Sequence, residues 1–193
     1  MTDCVVLGLD VSTACTGWSL LDDEGNLVDQ GFILLSPHKS VFKKAAVVKG
    51  VLEEIRCAHS VGNIFIEENL QSFRRGFSSA KTLSTLARFN GIVSLLTYQV
   101  FSIEPEYINV NSARRSLGIR IKREKVCGIS TKGQVLSWVR EQIIRTSFEW
   151  PTKRLKSGPR KGQCIEDPCC YDIADAYVIA RNGVLLVQSD NGN

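Results

Sequence analysis

The chain has 193 residues, 44% of them hydrophobic and 23% charged, with a formal net charge of +4. This composition suits one water-soluble domain with a real core, and no apolar run approaches the ~18 residues a membrane-spanning helix needs. Asp3 followed directly by a strand is not the basic-then-apolar pattern of a cleaved leader.

Cys4 to Asp10 is an apolar, β-branched run that reads as a buried strand and ends on a carboxylate. Thr16 to Leu21 is a second strand, Asp22 to Asn26 a turn by composition, and Leu27 to Leu35 a third strand. The chain thus opens as an antiparallel meander. Ser36-Pro37 breaks it, and Val41, Ala45, Val48, Leu52 and Ile55 mark an amphipathic helix over Val41 to Ala58. Gly62-Asn63 reads as a turn before a short strand, Ile64 to Glu67, again ending in an acid. A loop over Gln71 to Ser78 precedes a long helix from Ala80 to Val100, and Tyr107 to Val110 is a fifth strand. Asn111-Ser112 opens a short basic helix that Gly118 ends. Ile119 to Ser130 is basic and poorly patterned, Lys132 to Arg145 is helical, and the chain closes with a helix from about Pro168 to Val187. Between these helices, residues 150–163 hold two prolines, two glycines and five basic residues, and are expected to form a mobile basic loop. No second core is visible, so residues 1–193 are read as one α/β domain with a mixed sheet and helices on its faces.

Two patterns in this order carry chemistry. From Val110 to Gln163 there are fourteen Lys/Arg against three acids, an excess that suggests a polyanionic partner. A solvated basic face is the simpler alternative. Four acids also stand where structure has little use for them. Asp10 and Glu67 end the first and fourth strands, and parallel neighbours would set them side by side at the sheet's carboxyl edge. Asp172 and Asp175 share one face of an otherwise apolar helix. Asp172 near a helix N-terminus has a second explanation as a capping group. Carboxylates gathered in one pocket repel unless cations neutralise them, and oxygen donors favour Mg²⁺, or Mn²⁺, over zinc. Seven scattered cysteines, an odd count, suggest free thiols in a reducing compartment, and a cytoplasmic location is expected. Cys164, Cys169 and Cys170 cluster, but their spacing matches no common zinc pattern.

Leu7 to Thr13 with Thr16-Gly17, then Ile66-Glu67, then Asp172 to Ala176, resembles the RuvC family of Holliday-junction resolvases, within the RNase H-like, or retroviral-integrase-like, superfamily. The resemblance implies a five-stranded mixed sheet: an antiparallel meander, then a fourth and fifth strand parallel to the first. It places the family's metal-binding acids on Asp10, Glu67, Asp172 and Asp175, holding two Mg²⁺ ions per site, and a phosphate-assisting lysine on Lys132. Ser79 to Leu83 and Arg88 to Gly91 resemble the long helix of the family's dimer interface. The implied activity is paired nicking of four-way DNA junctions by a homodimer, with no membrane and no small-molecule cofactor. Arg74, Arg75, Arg114, Arg115, Arg120, Lys122 and Arg123 would hold backbone phosphates, while Phe73 or Phe77 would stack on opened bases or anchor their loop. The family's aromatic wedge is displaced here, since Leu70 holds its usual spacing, and the segments at 119–130 and 150–163 are longer than in compact bacterial members. A phage or viral relative fits that pattern. A nuclease of the same superfamily acting on flaps, other branched DNA or RNA–DNA hybrids is the main alternative. Asp10 followed by Ser12-Thr13 and Gly17 also resembles the first phosphate loop of actin-like and sugar-kinase ATPases, which need two copies of the fold.

Overall fold

The computed structural model describes residues 4–68 and 80–191. Phe73, Arg74, Arg75 and Phe77, together with Leu70 and Ser79, lie outside the described residues.

Five strands form one sheet: β1 (Val5–Asp10), β2 (Cys15–Leu21), β3 (Leu27–Leu34), β4 (Val61–Glu67) and β5 (Glu106–Ile108), in the order β3-β2-β1-β4-β5. The first three pair antiparallel, while β4 runs parallel to β1 and β5 parallel to β4. This is the mixed sheet that the sequence predicts. β4 starts earlier than expected: Gly62 and Asn63 belong to the strand, because Val61 and Asn63 pair with Val5 and Val6 across a register shift. Composition suggests a turn there, but pairing with a central strand overrides local preference. At β5 the expected strand is shortened, because Asn109 instead caps the next helix, its side chain accepting from the amides of Asn111 and Ser112.

The helices are α1 (Val41–Ala58), α2 (Ala80–Phe101), α3 (Val110–Ser116), α4 (Glu124–Cys127), α5 (Thr131–Gln142) and α6 (Cys169–Asn191). Strand side chains alternate between faces, and this sorts the core in two. Val5, Leu7 and Leu9 of β1 with Ile64 and Ile66 of β4 pack against α1 and α2. Val6 and Phe65 face the other way, against α3, α5 and α6. Continuing that alternation, four residues past Val6 and two past Phe65, puts Asp10 and Glu67 on the α6 side of the sheet.

Most of the basic segment 150–163 forms the irregular tip and first strand of a small hairpin. β6 (Thr152–Arg154) and β7 (Cys164–Glu166) pair antiparallel, and β7 runs almost directly into α6. Among the described residues, no helix is long and apolar enough to cross a membrane.

Candidate metal centre

Asp10 ends β1 opposite Gly17 of β2, and Leu9 beside it pairs with Ile66 of β4, which brings Glu67 alongside. The second pair of acids arrives on α6, which lies unusually close to the sheet. A Cβ at Gly8 would meet the Ala176 carbonyl oxygen at 2.5 Å, and one at Gly17 would meet the Asp172 carbonyl oxygen at 2.0 Å. Only hydrogen at these two positions lets the helix backbone rest on β1 and β2. That approach sets Asp172 and Asp175 over the end of β1. Asp10 and Asp175 are 8% and 5% exposed.

α6 is capped by Asp167, whose carboxylate accepts from the Cys169 amide at 2.9 Å. Asp172 is therefore not needed as the cap and is free for another role. It stands 3.8 Å from the Lys132 ammonium, which α5 presents from its first turn under the Ser130 N-cap. Asp175 accepts from Arg114 Nη2 at 2.7 Å. α3 holds that arginine in place: Asn109 caps its start, and Asn182 of α6 donates to Ser116 at its end at 2.7 Å. The Glu67 carbonyl accepts from Asn90 of α2 at 3.2 Å, which fixes the end of β4.

Burial, and then the negative charges of Glu67 and Asp175, push the Asp10 carboxyl well above the usual carboxylate range. Burial also raises Glu67, partly offset by a hydrogen bond with Asp10 and by the charges of Arg114 and Lys132. Asp172 is raised by burial and held down by Lys132. Four converging carboxylates face two cationic side chains, and the buried Nε of Arg114 has no hydrogen-bond partner. With all four ionised, the acids exceed these cations by two charges, and the donors are carboxylate oxygens, with the thiols of Cys15 and Cys169 beside Asp172. A hard divalent cation fits that donor set.

The cysteines separate. Cys164 is exposed on β7, while the Cys170 thiol turns to the Pro151 carbonyl at 3.3 Å. Cys169 instead meets Cys15 and Asp172, with the three donor atoms within 4.8 Å of one another. Burial raises both thiols, Cys169 to about 11, so at neutral pH they stay protonated beside the carboxylate.

Arg114 thus lies among the acids, not on the open surface. Arg115, Arg120, Lys122 and Arg123 are exposed on the end of α3 and the segment after it. Gln134 fixes that segment to α5, accepting from the Lys122 amide at 2.8 Å and donating to the Lys122 and Ile129 carbonyls at 2.9 and 2.8 Å. Gly8, Gly17 and Asp167 position the acids, the glycines through the close approach of α6 and Asp167 as its cap. The period of two along β1 and β2 carries a signal for the glycines, since both share a face with Asp10.

A five-stranded sheet ordered β3-β2-β1-β4-β5, with β4 and β5 running parallel to β1 and helices on its faces, is the fold of the RNase H-like class. Within that class the chain has the fold of RuvC. Thermus thermophilus RuvC in complex with a Holliday junction substrate matches with a TM-score of 0.61 at 15% identity over 96% of both chains. A second Thermus thermophilus RuvC structure gives 0.57 at 17% identity, again over 96% of each chain. The yeast mitochondrial Holliday junction resolvase Ydc2 gives 0.53 at 11% identity, over 95% of this chain and 78% of its own. By sequence, no family model and no curated protein matches the chain.

Proposed function

We propose that the protein is a Holliday junction resolvase, a homodimer that makes paired, symmetric nicks in four-way DNA junctions. The observation that carries this reading is the convergence of Asp10, Glu67, Asp172 and Asp175 on one face of a RuvC-type sheet. The basic residues of α3 and the segment after it lie on the same side of the sheet.

The four acids would hold two Mg²⁺ ions, or Mn²⁺, which when bound supply an activated water and charge stabilisation for phosphodiester hydrolysis. The chain's own groups do the rest. Glu67 and Asp10 are held by neighbouring parallel strands, and Asp172 and Asp175 by one helix, so the donor set is preorganised before substrate arrives. Lys132, with a side chain 57% exposed and only loosely paired to Asp172, can turn to the scissile phosphate and oppose the charge that develops there. Arg114 holds Asp175 in orientation through its ion pair at 2.7 Å. Water adds to phosphorus, the bond to the 3′-oxygen breaks, and that oxygen leaves with a proton. The products carry a 5′-phosphate and a 3′-hydroxyl. Arg115, Arg120, Lys122 and Arg123 would bind backbone phosphates nearby. Arg74, Arg75, Phe73 and Phe77 keep the phosphate and base contacts proposed from the sequence.

The dimer would form through α2, where Leu95 and Tyr98 are 56% and 52% exposed. A four-way junction has approximate two-fold symmetry, so a two-fold dimer can set one site on each of two opposed strands.

A substrate panel tests this reading. With Mg²⁺, a synthetic four-way junction should be cut in preference to a flap, an RNA–DNA hybrid and plain duplex, and Asp10→Asn should abolish cutting while leaving junction binding. Preference for the flap or the hybrid would move the function to another nuclease of the same fold.

A further inference from the structure

The hairpin β6–β7 has no part in the metal centre, yet it is among the most highly charged exposed elements of the chain. Between Thr152 and Gln163 it carries Lys153, Arg154, Lys156, Arg160 and Lys161, all exposed, and no acid. Among the described residues, none of the five forms an ion pair with an acid. Its fold is defined along its length. The strands pair from Thr152–Glu166 to Arg154–Cys164, and the tip closes through Leu155 and Gly162 and through turns at Gly158 and Gly162, both with positive φ.

The base of the hairpin is fastened. Glu166 pairs with Arg140 of α5 at 2.5 Å, and Arg140 stacks over Trp150 at 5.2 Å. Trp150 in turn packs edge-on against Phe148. The Pro151 carbonyl accepts from the Asp167 amide and the Cys170 thiol, tying the first strand to the start of α6. A rigid base and a charged tip are thereby joined to the helix that bears Asp172 and Asp175.

We propose that this hairpin is a second DNA-binding site, which grips the phosphate backbone of a duplex arm beside the cleavage centre. The inference rests on the resolvase reading for the branched substrate, but not for the contact with DNA itself. A two-stranded ribbon matches the width of a duplex major groove. The composition favours duplex over unpaired strand, because residues 152–166 contain no aromatic side chain on which a base could stack. It disfavours a membrane surface, because the hairpin exposes no large apolar side chain. The five cations would therefore act by neutralising phosphates, a contact that adds affinity without reading sequence.

The test compares the full-length protein with the triple variant Lys156→Ala/Arg160→Ala/Lys161→Ala. A control removes equal charge from the opposite face, Lys39→Ala/Lys43→Ala/Lys49→Ala. Binding to a labelled four-way junction and to plain duplex is measured by fluorescence anisotropy across a salt series, with Asp10→Asn as background to prevent cutting. Each lost phosphate contact lowers the salt slope by about 0.9, so the hairpin variant should lose about 2 to 3 units of slope and bind at least about tenfold more weakly at ~0.1 M salt. An unchanged slope, or an equal loss in the control, overturns the proposal. Wild-type protein that binds junction no better than duplex would count against the resolvase reading, while a reduced slope on duplex alone would still support the hairpin contact.

Discussion

Gly17→Ala tests how tightly the second pair of acids is tied to the first. The added Cβ would sit 2.0 Å from the carbonyl oxygen of Asp172, 2.3 Å from its carbonyl carbon and 2.7 Å from the Ile173 amide nitrogen. These are backbone atoms of α6, so no side chain can swing aside. To reach even about 3.0 Å, the start of α6 must retreat by about 1 Å, carrying Asp172 away from Asp10. A displacement of that size at a reacting centre lowers the rate on the order of 10²-fold. The overpacking itself costs about 1–3 kcal/mol. Single-turnover cutting of a labelled junction, junction binding by anisotropy and urea unfolding should be measured together, with Gly50→Ala as control, since a Cβ there meets nothing within 4 Å. The expected result is a folded variant that binds normally and cuts about 10²-fold more slowly. A folded Gly17→Ala protein cutting within about threefold of wild type would refute the claim that this close approach sets the acids.

Three further outcomes follow from the electrostatics. Asp10, Glu67 and Asp172 have carboxyls raised by burial from ordinary values of 3.8, 4.5 and 3.8, so in the folded state they hold protons that the unfolded chain releases. In EDTA, the contribution of these three groups to stability should therefore be fully present below about pH 4 and be lost as pH rises through the raised values; Asp10→Asn should reduce that pH-dependent loss in thermal melts, and a pH profile identical to wild type would contradict the burial argument. Arg114→Ala leaves the buried Asp175 carboxylate without its partner, and urea unfolding should show a loss of about 3 kcal/mol, against no more than about 0.5 kcal/mol for exposed Arg115→Ala. Lys132→Ala should slow cutting at least about tenfold with little change in junction affinity, and an unchanged rate would remove its assigned role.

Most of the framework was legible because its signals are local. Apolar β-branched runs ending in acids marked β1 and β4, and helical spacing marked α1 exactly where apolar residues recur. The placement of Asp172 and Asp175 on one face followed from their separation of three. What local pattern did not carry is how closely α6 approaches the sheet: two glycines meet backbone from a helix more than 150 residues away. The start of β4 was hidden for a similar reason, since Gly62 and Asn63 favour a turn until β1 offers them a pairing edge. The role of Asp167 as cap has no distinct signal in the sequence, because Asp172 also stands in the first turn of α6. Prolines and glycines between Trp150 and Gln163 read as loop, although the paired strands need only three residues on each side and the glycines sit at the tip, where the chain reverses. Arg114 looked like its neighbours in sequence, and only the docking of α3 on α6 turns it inward.

The most direct test of the central claim is strand-by-strand mapping of the cuts on a four-way junction labelled in turn on each of its strands. A resolvase built on these four acids should leave two nicks at symmetric positions on opposed strands, with 5′-phosphate and 3′-hydroxyl ends, and none with Asp10→Asn. Single, unpaired cuts, or cutting that persists in Asp10→Asn, would contradict it.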